Sequence, residues 1–330
     1  MTTTGEPKAK SSTPPRGKQP GPPRRPGDVI FSGAAKGAGV LILAILAAVA
    51  IFLLVNAWPA ISTPTDELSE SVHWIKEGDS LLDYVGPLVF GTVLAALIAL
   101  IIATPVAIAV ALFISHYAPR KLAQIFGYVI DLLAAIPSVV YGLWGALWLM
   151  PQMFPVFEWL SEYLGFIPIF QGPAASPPRT ILTAGIVLAV MILPIITAVS
   201  REVFLQTPTL HREAALALGA TRWEMIRMAV LPFGRSGIIS AAMLGLGRAL
   251  GETMAVAMVL SPGFVYSFFI LQAGQQQNIA ANIALKFPES SGLGVNVLIF
   301  TGLVLFAITL LVNMIARWIV SRRAEFSGAN

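Results

Sequence analysis

Six long apolar stretches dominate the chain, and polar positions gather in the connections between them and at the two ends. An α-helix rises about 1.5 Å per residue, so about 20 apolar residues cross the roughly 30 Å of bilayer hydrocarbon. Spans are expected near residues 34–57, 86–114, 123–150, 180–200, 236–261 and 294–319. Inside lipid the backbone has no water to bond, so such runs read as helices and not as open strands. The expected fold class is an all-α integral membrane protein with six transmembrane helices. Pro105, Pro137 and Pro194 fall within spans and predict kinks. In the first span Val55-Asn56-Ala57 imitates a signal-peptide cleavage site, but the apolar run is too long for one. A retained anchor is expected.

Composition supports the class. The 330 residues are 56% hydrophobic and 12% charged, with mean hydropathy +0.77, too apolar for a soluble domain. With no cysteine there is no disulfide, thiolate metal site or cysteine nucleophile. Residues 1–28 differ from the rest, carrying seven prolines and six Lys or Arg with almost no apolar side chains. Such a stretch buries too little surface to offset its ordering entropy and is expected to be disordered. Its charge suits an anionic membrane surface, either as a solvated tail that fixes topology or as a dedicated lipid or partner site.

Lys and Arg counts orient the spans. The tail through Lys36 has seven, residues 115–122 two, residues 201–235 five and the end from Arg317 three. The opposite connections hold one each, Lys76, Arg179 and Lys286. Both termini and the 201–235 loop are therefore expected on the cytoplasmic side of the membrane. The outer 58–85 loop is acidic, with Asp66, Glu67, Glu70, Glu77, Asp79 and Asp83.

The 201–235 loop reads as two short helices. Thr207-Pro208 is expected to cap the first, which runs through Glu213 and Ala217 and stops at Gly219 in a left-handed conformation. Thr221-Arg222-Trp223-Glu224 is a capping box opening the second, and Leu231-Pro232 is expected to end it. Glu213-Ala214-Ala215, three residues, Gly219 and a distal Leu231-Pro232 together resemble the EAA loop of ABC-importer permeases. The resemblance implies docking on a separate ATPase through Glu213, Ala214, Ala215, Gly219, Leu231 and Pro232. Ala229 departs from the isoleucine expected two residues before Leu-Pro. Without the resemblance, an amphipathic connector reads equally well. No G-x-x-x-x-G-K-[ST] occurs, so no P-loop is available to hold nucleotide phosphates.

Charges within the spans are few: Asp131 in the third, near its cytoplasmic end, and Arg248 with Glu252 in the fifth. An Arg at a helix centre is costly, about 2.5–3.5 kcal/mol on insertion scales, so it faces a partner or a polar path. Four residues apart on a helix, Arg248 and Glu252 would share one face, with Glu252 orienting Arg248 when no anion is present. An Arg fork binds phosphate or carboxylate oxygens bidentately. A pair that neutralises itself and fixes packing is the other reading. Gly245, Gly247 and Gly251 are expected to thin the helix for close approach.

Residues 130–143 (Ile-Asp-Leu-Leu-Ala-Ala-Ile-Pro-Ser-Val-Val-Tyr-Gly-Leu) resemble a segment of phosphate ABC-importer permeases. Residues 247–256 (Gly-Arg-Ala-Leu-Gly-Glu-Thr-Met-Ala-Val) resemble the signature of the PstC-type subunit and not of its PstA-type sister. The resemblance covers residues 86–319 and implies a type I ABC-importer permease fold. It implies a heterodimer with a PstA-type permease, an ATPase dimer and an external phosphate-binding protein, in contact with lipid and without nucleic acid. No cofactor is expected on this chain, with ATP and Mg on the partner ATPase, so the chain is a transport subunit and not an enzyme. Arg248 and Glu252 match the family's charged pair in the phosphate pathway. The implied organisation is a tail over 1–28, first span and acidic external loop over 29–85, permease core over 86–320 and C-terminal tail over 321–330. Two alternatives stay open: a permease for another oxyanion such as sulfate or molybdate, and a secondary transporter or membrane signalling component.

Overall fold

Residues 26–324 are described by a computed structural model, and every regular element among them is helical. Residues 1–25 and 325–330, which hold most of both expected tails, lie outside the described residues. The chain divides into two units, residues 1–50 and 51–330. The described part of the first unit is the leading portion of α1 (Pro26–Ser62), where Ile30, Val40, Leu41 and Leu46 are all exposed. That all-round apolar surface suits lipid.

Six helical stretches among the described residues are long and apolar enough to span a bilayer. They are Ile30–Ser62, Leu81–Tyr117, Ser138–Leu164, Ile181–Leu205, Arg222–Leu250 and Leu293–Ser321. In the second unit, α2 (Thr65–Ser71) lies in the acidic loop ahead of α3 (Leu81–Leu112). Ser80 opens α3 with a capping box: its hydroxyl accepts from Asp83 N at 3.3 Å, and Ser80 N donates to Asp83 Oδ2 at 3.0 Å. At least one acid of that loop is thus committed to holding a helix end.

The third span differs from expectation. After a π turn at Phe113–Tyr117, residues 120–134 form a separate amphipathic helix, α4 (Arg120–Ala134), which buries Gly127 and Ile130 and exposes Asp131. The chain then breaks, and Pro137 sits at the start of α5 (Ser138–Trp144) with an extended ψ of 140°. A π turn at Gly145–Leu149 leads into α6 (Met150–Leu164). Pro137 lacks the N–H the ladder needs and disfavours helix at the residue before it, so the crossing starts after it. The span is Ser138–Leu164 instead of 123–150, and Asp131 lies outside it.

Helix α7 (Ile181–Leu205) is the most enclosed element, with Val187, Leu188, Ile192 and Ile196 fully buried. Its main partner is an alanine ladder on α3: Ala95, Ala99, Ala103 and Ala107, each at most 1% exposed. Four-residue spacing puts these methyls on one face, and small side chains let two backbones approach where lipid gives no hydrophobic drive. Gly185 completes the contact, because a Cβ there would meet Ile98 Cγ2 at 2.4 Å.

After α7 come α8 (Thr209–Ala217), α9 (Arg222–Met225), α10 (Leu231–Leu250), α11 (Met254–Val259), α12 (Ile279–Lys286) and α13 (Leu293–Ala324). Helix α10 packs on α7 through its own small residues. A Cβ at Gly237 would fall 2.4 Å from Val203 Cγ2, and one at Gly245 2.9 Å from Ile196 Cδ1.

Candidate functional site

Two places gather the residues singled out by sequence. The first is the loop after α7. Its opening is not the expected cap: Thr207 is buried with its hydroxyl unpartnered, and Pro208 takes the cap position with ψ 133°. A proline held at an extended ψ directs the chain into the helix without needing a side-chain acceptor. Glu213 and Ala214 are exposed, while Ala215 packs on a buried cluster of Phe204, Ile226 and Val230. Gly219 follows with φ +84°, as expected of a left-handed stop. Gly219 N donates to Leu216 O at 3.0 Å and Ala220 N to Ala215 O at 3.2 Å, closing a Schellman turn.

The second loop helix opens with the expected capping box, Thr221 N donating to Glu224 Oε2 at 2.8 Å and Glu224 N to Thr221 Oγ1 at 3.3 Å. It does not end at Leu231-Pro232. The chain widens into a π turn at Ile226–Val230 and continues directly into α10, whose second residue is Pro232. A proline ring clashes with the carbonyl four residues back in a regular helix, and the wider turn moves that carbonyl aside. The loop is therefore a stiff extension of a membrane helix. Beneath it, Ala111 and Leu112 at the end of α3 share one cluster with Phe204 and Met225. Leu210 (72%), Leu218 (90%) and Trp223 (54%) stand exposed on its outer side.

The second place is the end of α10. Arg248 lies in its last turn, half-buried, on the wall of a cavity of about 600 Å³ shared with Gly247, Met243, Asn313 and Arg317. Helix α10 stops at Leu250, with Gly251 as its cap. Glu252 falls in the break: it is 7% exposed, and its Oε1 accepts from Ala255 N at 3.1 Å at the start of α11. Asn278 Nδ2 donates to the Glu252 carbonyl at 2.9 Å while Asn278 Oδ1 accepts from Ala281 N at 2.7 Å, capping α12. The expected shared helix face of Arg248 and Glu252 is not formed, because the helix between them has ended. Within 4.0 Å the only ion pair among the described residues is Arg201 with Glu202, at 3.6 Å. The guanidinium of Arg248 is left facing the cavity without a carboxylate.

The three glycines also separate. Gly245 serves packing on α7, Gly247 borders open space on the cavity wall, and Gly251 ends the helix. The two resemblance segments meet: a Cβ at Gly142 would fall 2.8 Å from Ala255 Cα, so α5 and α11 approach backbone to backbone. Tyr141 bridges the Pro137 break by donating to Leu133 O at 2.8 Å. Tyr141, Asn278 and Asn313 received no role from sequence. The polar run Gln275-Gln276-Gln277-Asn278 just ahead of an apolar helix was the one available signal.

Residues 103–325 match the family model described as "Binding-protein-dependent transport system inner membrane component". The "Phosphate transport system permease protein PstC 2" of Mycobacterium tuberculosis is 46% identical over 307 residues, 92% of this chain and 94% of that one. The "Phosphate transport system permease protein PstC" of Mesorhizobium japonicum is 38% identical over 309 residues, 92% of each chain. In fold, the chain is similar to a chain of a bacterial ABC transporter involved in import of the acidic polysaccharide alginate. That match has a TM-score of 0.51 and 16% identity, and covers 88% of this chain and 98% of the other.

Proposed function

The chain belongs to the binding-protein-dependent transport system inner membrane component family, and we propose that it is the PstC-type permease subunit of an ATP-driven phosphate importer. As a family member it is a multi-pass membrane transport subunit with a type I importer fold and not an enzyme. The finer assignments are the proposal: a PstA-type sister permease, an ATPase dimer carrying ATP and Mg, an external phosphate-binding protein, and both termini in the cytoplasm. The single observation that supports phosphate most is close kinship, at 46% identity over 92% of the chain, with a phosphate permease. It is joined by a half-buried guanidinium on a large cavity wall with no carboxylate within 4.0 Å.

The mechanism follows from what the residues can do. Binding protein loaded with phosphate docks outside, and ATP closes the ATPase dimer against the 201–235 loop. Glu213, Ala214 and the Gly219 turn form the docking surface, Ala215 seats it on the cluster beneath, and Leu231-Pro232 carry its displacement into α10. Rigidity matters here. The loop is continuous with α10 and rooted on the ends of α3 and α7, so a push at α8 moves the helix that carries Arg248. Arg248 holds the anion in transit through paired N–H donors of its guanidinium fork. Glu252 holds the bend behind it and does not neutralise it. Phosphate uptake in cells lacking other phosphate importers tests the cargo. Uptake unaffected by excess sulfate or molybdate is expected, and strong competition by either would assign the chain to that oxyanion instead.

A further inference from the structure

A smaller cavity of about 260 Å³ lies under the loop, lined among others by Ser115, His116, Thr209, Arg212, Glu213 and Arg222. Its walls come from the π turn ending α3 and from α8 and α9, segments far apart in sequence. Arg212 Nε and His116 Nε2 are buried there, and neither has a hydrogen-bond partner among the described residues. Leaving such groups unpaired is costly, about 1–3 kcal/mol each, so two in one small cavity mark a missing ligand. Glu213 also lines the space and, like Arg222, is exposed, so with the half-buried Arg212 the lining carries two guanidinium groups against one carboxylate.

Proton bookkeeping narrows the ligand. Ser115 Oγ donates to Ala111 O at 2.7 Å and sits 2.7 Å from His116 Nδ1. With its one proton on the carbonyl, the hydroxyl accepts from Nδ1–H, so in the neutral ring Nε2 is an acceptor. The cavity then offers Arg donors and one imidazole acceptor. An anion that satisfies both must carry oxygens and an O–H at neutral pH. We propose that this cavity binds inorganic phosphate in a protonated form, bridging the end of α3 to the α8–α9 loop. Its O–H donates to His116 Nε2 while its oxygens accept from Arg212 and Arg222. Sulfate, fully deprotonated, and a lipid phosphodiester lack that proton. A bridge across these segments restrains the loop, so phosphate at this site slows ATP turnover by the assembled importer. The site is separate from Arg248 and does not depend on the cargo reading.

The test is calorimetric titration of inorganic phosphate into the purified permease–ATPase complex in phosphatidylcholine nanodiscs, without binding protein. One site is expected in the Arg248→Gln background, where the pathway arginine cannot contribute to the signal. Affinity is expected to fall at least tenfold in His116→Phe and in Arg212→Gln, less in Arg212→Lys, and sulfate to bind at least tenfold more weakly. Saturating phosphate is expected to slow ATP hydrolysis several-fold in the unaltered complex and not in His116→Phe. Absence of binding, equal binding of sulfate, or loss of binding in Arg248→Gln alone would overturn the proposal. If the His116 variant does not assemble, the sulfate comparison on the Arg248→Gln complex decides. Phosphatidylglycerol nanodiscs that abolish the titration would assign the site to a lipid headgroup and overturn it as well.

Discussion

Replacing Gly219 by valine isolates the backbone geometry of the loop from everything else. The residue has φ +84°, and a Cβ built on it meets nothing within 4 Å. No side chain is displaced, so the whole effect is conformational. A left-handed conformation costs an ordinary L-residue about 1–2 kcal/mol, and a β-branched one falls at or above the upper end. That strain is relieved only by opening the Schellman turn, which releases Gly219 N from Leu216 O and Ala220 N from Ala215 O. If the ATPase binds only the closed turn, about 2 kcal/mol becomes a roughly 30-fold weaker association, since 1.4 kcal/mol is tenfold. The assay is titration of labelled ATPase onto permease in nanodiscs, with membrane insertion checked by thermal melting. Gly219→Asn, which tolerates this conformation better, is expected to lose less. Valine and wild type binding the ATPase alike would refute the claim that this turn shapes the docking surface.

Further expectations follow from other contacts. Ala103→Leu forces a larger side chain between α3 and α7 and is expected to destabilise by about 1–3 kcal/mol, read as a lower melting temperature in detergent. Glu252→Gln keeps an oxygen for Ala255 N and is expected to melt near wild type, whereas Glu252→Ala loses the cap and about 1 kcal/mol. Near-identical melting of the two would contradict a capping role for Glu252. Tyr141→Phe removes the hydrogen bond across the Pro137 break and is expected to destabilise by about 1 kcal/mol without abolishing ATPase association.

What the sequence revealed, and what it did not, divides by range. Gly219 and the Thr221–Glu224 box were legible because four or five neighbouring residues decide a turn or a cap. The spans were legible because hydropathy is additive along a helix. Hydropathy cannot see a break, however. Residues 123–150 are apolar enough on average to read as one crossing, and only Pro137 with the exposure of Asp131 separates α4 from the membrane helix. The same blindness joined Arg248 to Glu252 across Gly251. Pro232 was misread the other way, since a π turn at Ile226–Val230 rescues the ladder that proline alone would end. His116 and Arg212 were invisible as a pair because nearly one hundred residues separate them and only packing of the α3 end under α8 joins them.

The central claim is that Arg248 carries the anion and that the loop at Glu213 separately carries the coupling. Radiolabelled phosphate uptake by Arg248→Gln, in cells lacking other phosphate importers and alongside pull-down of the ATPase, tests it directly. Uptake reduced to background with ATPase association intact is the expected result. Near-normal uptake with the same association would contradict it and leave Arg248 a packing residue on the cavity wall.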